Sequence, residues 1–191
     1  MKLTLASPSD APALLEVYGQ YIQTPITFEY VLPTAEEFAC RVVSILEAGY
    51  PYLVCREGDR ILGYAYAHRH MERAAYQWDA ELSIYLSSSA AGRGLGRTLY
   101  RALMELLTLQ GVKTVYGLVT LGNPASEGLH RSLGFRLIGV HRSTGYKNGV
   151  WHDVQWFEKS LAPYDPDPQP VIPLPQLPEK TVQDVLARNS G

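Results

Sequence analysis

Apolar and polar positions change period several times along this chain, and each change marks an element. Residues 3–6 alternate like a short strand, and Ser7 or Ser9 then caps a segment carrying Leu14, Val17, Tyr18, Tyr21 and Ile22 at helical spacing. Thr34-Ala35-Glu36-Glu37 has the spacing of a capping box, which predicts a second helix to about Ala48, ended by Gly49. Residues 52–55 and 61–67 flank Gly58-Asp59 as an antiparallel hairpin, and residues 81–86 add a third strand. Glycines at 92, 94 and 96 then precede a periodic stretch with Leu99, Leu103, Leu106 and Leu107 that stops at Gly111. A strand over 114–119, a short helix over 126–133, extended chain over 134–141 and a last strand over 154–158 complete the pattern. The order is one strand, two helices, three strands, a helix, a strand, a helix and two strands, which is α/β with a mixed sheet.

From Pro163 the chain reads Pro-Tyr-Asp-Pro-Asp-Pro-Gln-Pro, and prolines cannot donate to a ladder. The expected organisation is therefore one domain over 1–161 followed by an extended, proline-rich tail over 162–191. Val171, Ile172, Leu174 and Leu177 in that tail are apolar and call for a surface to bury them, which favours a homodimer.

Composition narrows the partners. At 191 residues and 46% hydrophobic content the chain can build one real core, and a formal net charge of -2 leaves no footprint for nucleic acid or an anionic membrane. No apolar run approaches the roughly 20 residues of a membrane helix. Residues 1–10 have no signal-peptide core, so a cytoplasmic location is the expectation. Cys40 and Cys55 lack a partner at metal spacing, so both are expected to be free buried thiols, and no metal site is expected.

The chemistry concentrates at Ala91-Gly92-Arg93-Gly94-Leu95-Gly96-Arg97. Residues without a Cβ let a backbone approach an anion closely, and the start of a helix adds unpaired N–H donors and a favourable dipole. A P-loop would need a lysine before the Thr98 position, where Arg97 stands. A dinucleotide fingerprint would want an acidic residue about 20 positions on, where Lys113-Thr114-Val115 stands. A flexible turn with solvated arginines is the bland alternative. A pyrophosphate that is neither ATP nor NAD is the leading candidate ligand.

Strand, then Arg-Gly-x-Gly, then helix resembles the coenzyme A loop of the GNAT acetyltransferase superfamily, and Asn123…Ser126…Leu133-Gly134-Phe135 is similar to the motif that follows it there. Within that superfamily the chain resembles the phosphinothricin N-acetyltransferases through Thr27-Phe28-Glu29, Ala75-Tyr76-Gln77-Trp78, Glu81, Ile84-Tyr85, Leu129-His130 and residues 147–154, a likeness that spans about 3–161. It implies a GNAT-like mixed, mostly antiparallel central sheet flanked by about four helices. It also implies acetyl-coenzyme A as cosubstrate, held by Ile84, Leu86, Gly92, Arg93, Gly94, Leu95, Gly96, Arg97 and Asn123, and a dimeric enzyme. The departure is Ala91, where the superfamily loop commonly has Gln or Arg; a weakened cofactor site is expected there, with Arg93 and Arg97 able to compensate.

By the same resemblance, Glu81 is the general base. It is the only carboxylate on residues 81–86, and its bland alternative is an exposed strand-edge glutamate. His130 stands where the phosphinothricin group carries histidine and is a candidate acid for the leaving thiolate; Tyr85 is the second candidate, and packed core residues are the alternatives. Arg73 matches a substrate-loop arginine suited to a carboxylate or phosphinate, while Phe28, Tyr76, Trp78 and Trp151 resemble walls of an acceptor pocket. His152-Asp153 points to opposite faces of a strand and reads as structural. The implied acceptor is the amine of phosphinothricin, methionine sulfoximine or a similar L-amino acid. The rivals are another amine (a polyamine, a drug or a protein N-terminus) and a non-catalytic acyl-coenzyme A sensor.

Overall fold

The computed structural model describes residues 1–190. Seven strands form one sheet in the order β1-β2-β3-β4-β5-β7-β6: β1 Lys2–Leu5, β2 Tyr52–Glu57, β3 Arg60–Arg69, β4 Asp79–Leu86, β5 Thr114–Thr120, β6 Arg136–Lys147 and β7 Val150–Ser160. Neighbours run antiparallel except β4 and β5, which are parallel. Among the described residues five helices accompany it: α1 Ala11–Gly19, α2 Ala35–Glu47, α3 Leu95–Gln110, α4 Pro124–Ser132 and α5 Glu179–Arg188. No helix among them is long and apolar enough to cross a membrane.

Local chemistry accounts for the boundaries. Thr34 Oγ1 accepts from the Glu37 N–H at 3.1 Å and Glu37 Oε2 from the Thr34 N–H at 2.7 Å, the capping box expected for α2. α3 stops at Gly111, whose φ of +95° few other residues tolerate. Asn123 caps α4 by accepting from the Ser126 N–H at 3.2 Å, so that helix starts two residues earlier than the pattern suggested.

The sheet is packed on both sides. Leu95, Leu99, Leu103, Leu106 and Leu107 of α3 press on Leu53, Leu62, Ala65, Leu82, Val115 and Phe157. On the other side Leu14, Val17 and Tyr18 of α1 and Phe38 and Val42 of α2 cover Tyr52, Val54 and Tyr64. Each buried leucine contributes about 1.5–3 kcal/mol relative to exposure, so α3 alone anchors β4 and β5 firmly.

Three expectations are corrected. β6 and β7 are longer than 134–141 and 154–158, because Asn148 and Gly149 both take positive φ (53° and 80°) and join them as a tight hairpin with Lys147 opposite Val150. The tail is not extended throughout: α5 lies against α3 and β1 and buries Val182, Val185 and Leu186, with Leu174 just before it. Val171 and Leu177 pack on the same core, so most of the tail's apolar residues are covered by their own chain and supply no argument for a dimer. Cys55 is buried as expected, but Cys40 is exposed on the outer side of α2.

Candidate active site

β4 and β5 pair from Asp79 opposite Thr114 to Leu82 opposite Gly117, and there the ladder stops, although β4 runs on to Leu86 and β5 to Thr120. The strands therefore diverge into a wedge. A cavity of about 220 Å³ fills it, lined by Glu81, Ser83 and Tyr85 and also by Leu82, Ile84 and Leu86. Successive strand residues point to opposite faces, so only a gap through the sheet can be lined by both sets. β5 and α4 supply the opposite wall with Leu118, Thr120, Asn123, Ser126, Leu129 and His130.

At the end of β4 the chain turns through the glycine loop into α3. Gly92 and Gly94 take φ of +74° and +78°, and a Cβ at either would meet nothing within 4 Å, so the backbone there is open to an approaching group. Gly94 is the N-cap of α3 and no side chain caps the helix, which leaves the first N–H groups, of Leu95, Gly96 and Arg97, aimed outward unpaired. A diphosphate fits this cradle. Arg97 is exposed beside it. Arg93 is turned aside instead, in a 2.6 Å ion pair with Glu57 of β2 that lowers the Glu57 carboxyl and raises the guanidinium, an exposed contact of small worth.

Glu81 is the one carboxylate among the described residues that line the cavity, and its side chain is 20% exposed. It faces His68 across β3, with Nε2 3.7 Å from Oε1, and His70 Nδ1 lies 3.7 Å from Oε2. Tyr116 is opposite it on β5, with its phenol pushed up to about 12, chiefly by burial.

His130 is 2% exposed, enclosed by Tyr100, Phe135 and Phe157 with ring centroids 5.0–5.5 Å away. Its Nδ1 is 2.8 Å from the Ser126 carbonyl, which can only accept, so Nδ1 carries the proton and buried Nε2 is a bare lone pair with no partner. Burial lowers its pKa and keeps the ring neutral. In this state the ring has no proton to deliver at Nε2. Tyr85 lines the same cavity, packs on Tyr18, Tyr21 and Tyr64, and is held protonated by burial, which leaves it a hydrogen-bond donor.

The remaining expected substrate contacts lie elsewhere. Arg73 and Tyr76 sit on an exposed loop between β3 and β4, outside the cavity. Trp78 donates from Nε1 to the Gln169 carbonyl at 2.8 Å and holds the tail. Phe28 packs over Gly145 and the His152 ring, and Trp151 is exposed. The cleft instead uses Tyr21, whose hydroxyl donates to the Leu86 carbonyl at 2.5 Å, and Ile26, neither marked by any motif. A second cavity of about 210 Å³ shares Tyr85 and is lined by Tyr18, Thr27, Glu29, Arg41 and Tyr64, among others.

The model of the acetyltransferase (GNAT) domain matches residues 3–156. A phosphinothricin N-acetyltransferase of Alcaligenes faecalis is 37% identical over 154 residues, covering 80% of this chain and 78% of the relative. The L-methionine sulfoximine/L-methionine sulfone acetyltransferase of Pseudomonas aeruginosa is 32% identical over 161 residues, covering 83% and 93%. Among solved structures, a GNAT superfamily phosphinothricin acetyltransferase from Sinorhizobium meliloti in complex with AcCoA superposes with a TM-score of 0.83 at 34% identity, covering 90% of this chain and 95% of that one.

Proposed function

Because this chain belongs to the GNAT acetyltransferase family, we propose that it acetylates the α-amine of phosphinothricin, L-methionine sulfoximine or a similar small L-amino acid, with Glu81 as general base. It is an acetyl-coenzyme A-dependent N-acetyltransferase. When bound, acetyl-coenzyme A supplies the thioester carbonyl that the amine attacks.

The observation that carries the reading is the wedge itself. It brings one carboxylate, on Glu81, into the same cavity as the open end of β4, directly before the uncapped start of α3. The unpaired N–H groups of residues 95–97 would hold a diphosphate, and residues 83–86 offer a strand edge free on the β5 side. Gly92 and Gly94 keep that approach clear, so Ala91 removes a side-chain contact while the backbone donors stay in place.

Amines are largely protonated at neutral pH, so the nucleophile must lose a proton before it can attack. Glu81 accepts it. The Tyr85 hydroxyl donates to negative charge developing at the reacting centre, and takes the acid's part in place of neutral His130. Holding amine and thioester together in the wedge supplies much of the acceleration. An amino-acid acceptor is supported by the names of the relatives. Arg73, lying outside the cavity, would contribute only through closure of its loop or from a second subunit.

A homodimer is part of this reading, now on a different ground. Leu137, Ile138 and Val140 on edge strand β6, with Tyr146, Val150 and Trp151 at the hairpin, are large exposed apolar residues on a sheet edge, a surface that calls for a partner. Thiol release from acetyl-coenzyme A with a panel of L-amino acids, polyamines and peptides tests the acceptor. Turnover confined to amino acids supports the proposal, whereas turnover with polyamines or peptides alone replaces it, and none at all favours a binding protein.

A further inference from the structure

His68 stands directly opposite Glu81 in the β3–β4 ladder. Its Nδ1 is 3.0 Å from the Arg69 carbonyl. A carbonyl only accepts, so Nδ1 carries the hydrogen, and in the neutral form of the ring Nε2 is a bare lone pair turned toward Glu81 Oε1, 3.7 Å away. Two lone pairs thus face each other across a gap that one proton would close. The other carboxylate oxygen faces His70 Nδ1, which is buried without a hydrogen-bond partner while its ring stacks on Tyr116 at 4.2 Å. Asp79, two residues before Glu81, lies within electrostatic reach of His70, and Tyr100 of α3 within reach of Glu81; the phenols on the neighbouring strands are Tyr66, whose ring centroid is 6.1 Å from that of His68, and Tyr116 on β5. Burial raises both phenols, so neither competes for a proton near neutrality.

We propose that Glu81 and His68 form a single proton-accepting unit in which the proton taken by the carboxylate comes to rest on His68 Nε2. The inference rests on the assignment of Glu81 as base. Imidazole is the stronger base of the two side-chain types, so the ring is the better resting place for a proton that the carboxylate passes on. An ammonium acceptor loses two protons on becoming an amide. One is consumed by the leaving thiolate, and the other is the net proton released. That second proton passes from nitrogen to Glu81 and from Glu81 to His68, whose side chain is 37% exposed and returns it to solvent. His68 does not line the cavity and acts through Glu81, as a positioning and proton-holding residue. His70 Nδ1, 3.7 Å from the other oxygen, closes that side of the carboxylate without a hydrogen bond.

Two measurements test this. Nitrogen-15 NMR of the wild-type imidazoles at pH 8, with His68 assigned by its loss in His68→Gln, is expected to show the Nδ1–H tautomer with Nε2 unprotonated; an Nε2–H tautomer overturns the proposal without any substrate. Kinetics of His68→Gln, read as thiol release with acetyl-coenzyme A and the best acceptor of the panel, should show kcat lowered roughly 10–100-fold at pH 7 and near wild type at pH 9, with the KM for acetyl-coenzyme A unchanged. In the double variant with Glu81→Gln, the loss should be no larger than for Glu81→Gln alone, because residues acting as a unit are not additive. Wild-type kcat in His68→Gln beside a slow Glu81→Gln overturns the shared unit and leaves the base assignment standing. A normal Glu81→Gln overturns the base assignment itself.

Discussion

The ring of His130 occupies the space above Gly117 so closely that a Cβ at residue 117 would lie 2.2 Å from its Nε2. Glycine on β5 is thus what lets α4 seat its histidine between Tyr100 and Phe157 at the foot of the wedge. Gly117→Ala should destabilise the protein by about 1–3 kcal/mol, the usual cost of overpacking, with a fall of several degrees in Tm measured by calorimetry. His130→Ala in the same chain should recover part of the loss. An unchanged Tm in Gly117→Ala would show that α4 is not held by this contact.

The buried, neutral state of His130 also sets a pH dependence. Its pKa is lowered in the folded protein, so below the ordinary imidazole value of about 6.5 the unfolded chain binds a proton that the folded one does not. Its contribution to stability is present above that value and is lost as pH falls toward the folded pKa. Thermal unfolding at pH 7.5 and pH 5.5 should show a larger drop for wild type than for His130→Gln; equal drops would mean that other groups carry the acid sensitivity.

The glycine loop makes a prediction about binding alone. Gly94 combines a φ of +78° with the N-cap of α3, a conformation strongly unfavourable for a β-branched residue. Gly94→Val should abolish acetyl-coenzyme A binding in calorimetry while circular dichroism shows the fold retained. Full affinity in a folded variant would remove the loop from the cofactor site.

Much of this was legible in the chain. The β4, glycine loop and α3 unit follows from periodicity and Gly111, whereas Glu81 is singled out only by the resemblance, because Asp79 puts a second carboxylate on β4. The β6–β7 hairpin rests on Asn148 and Gly149 at positive φ, and the polar residues around them break the alternation that would reveal the strands on either side. In the tail, Val182, Val185 and Leu186 keep helical spacing, but the run of prolines before them is the stronger local signal and points to extended chain. Other features could not be read at all. His68 meets Glu81 only through the cross-strand register, and the β3–β4 loop carries Arg73 and Tyr76 away from the cavity by a path no motif encodes.

The docked tail makes a stability prediction. Leu174, Val182, Val185 and Leu186 are buried, and Arg188 pairs with Glu105 of α3. At about 1.5–3 kcal/mol per buried apolar side chain, truncation after residue 161 should remove most of the margin of a domain this size and lower Tm by more than about 10 °C. A truncated chain with wild-type Tm would make the tail an appendage.

The central claim is that Glu81 takes the proton from the acceptor amine, and one comparison tests it most directly: turnover of Glu81→Gln against wild type at pH 7 and pH 9, by thiol release with acetyl-coenzyme A and the best acceptor. The amide keeps size and hydrogen-bonding reach and removes only the proton acceptor. The account predicts a fall of about 10²–10⁴-fold at pH 7, partial recovery at pH 9 where more of the amine is already neutral, and unchanged acetyl-coenzyme A affinity. Near wild-type turnover of Glu81→Gln at pH 7 would contradict it.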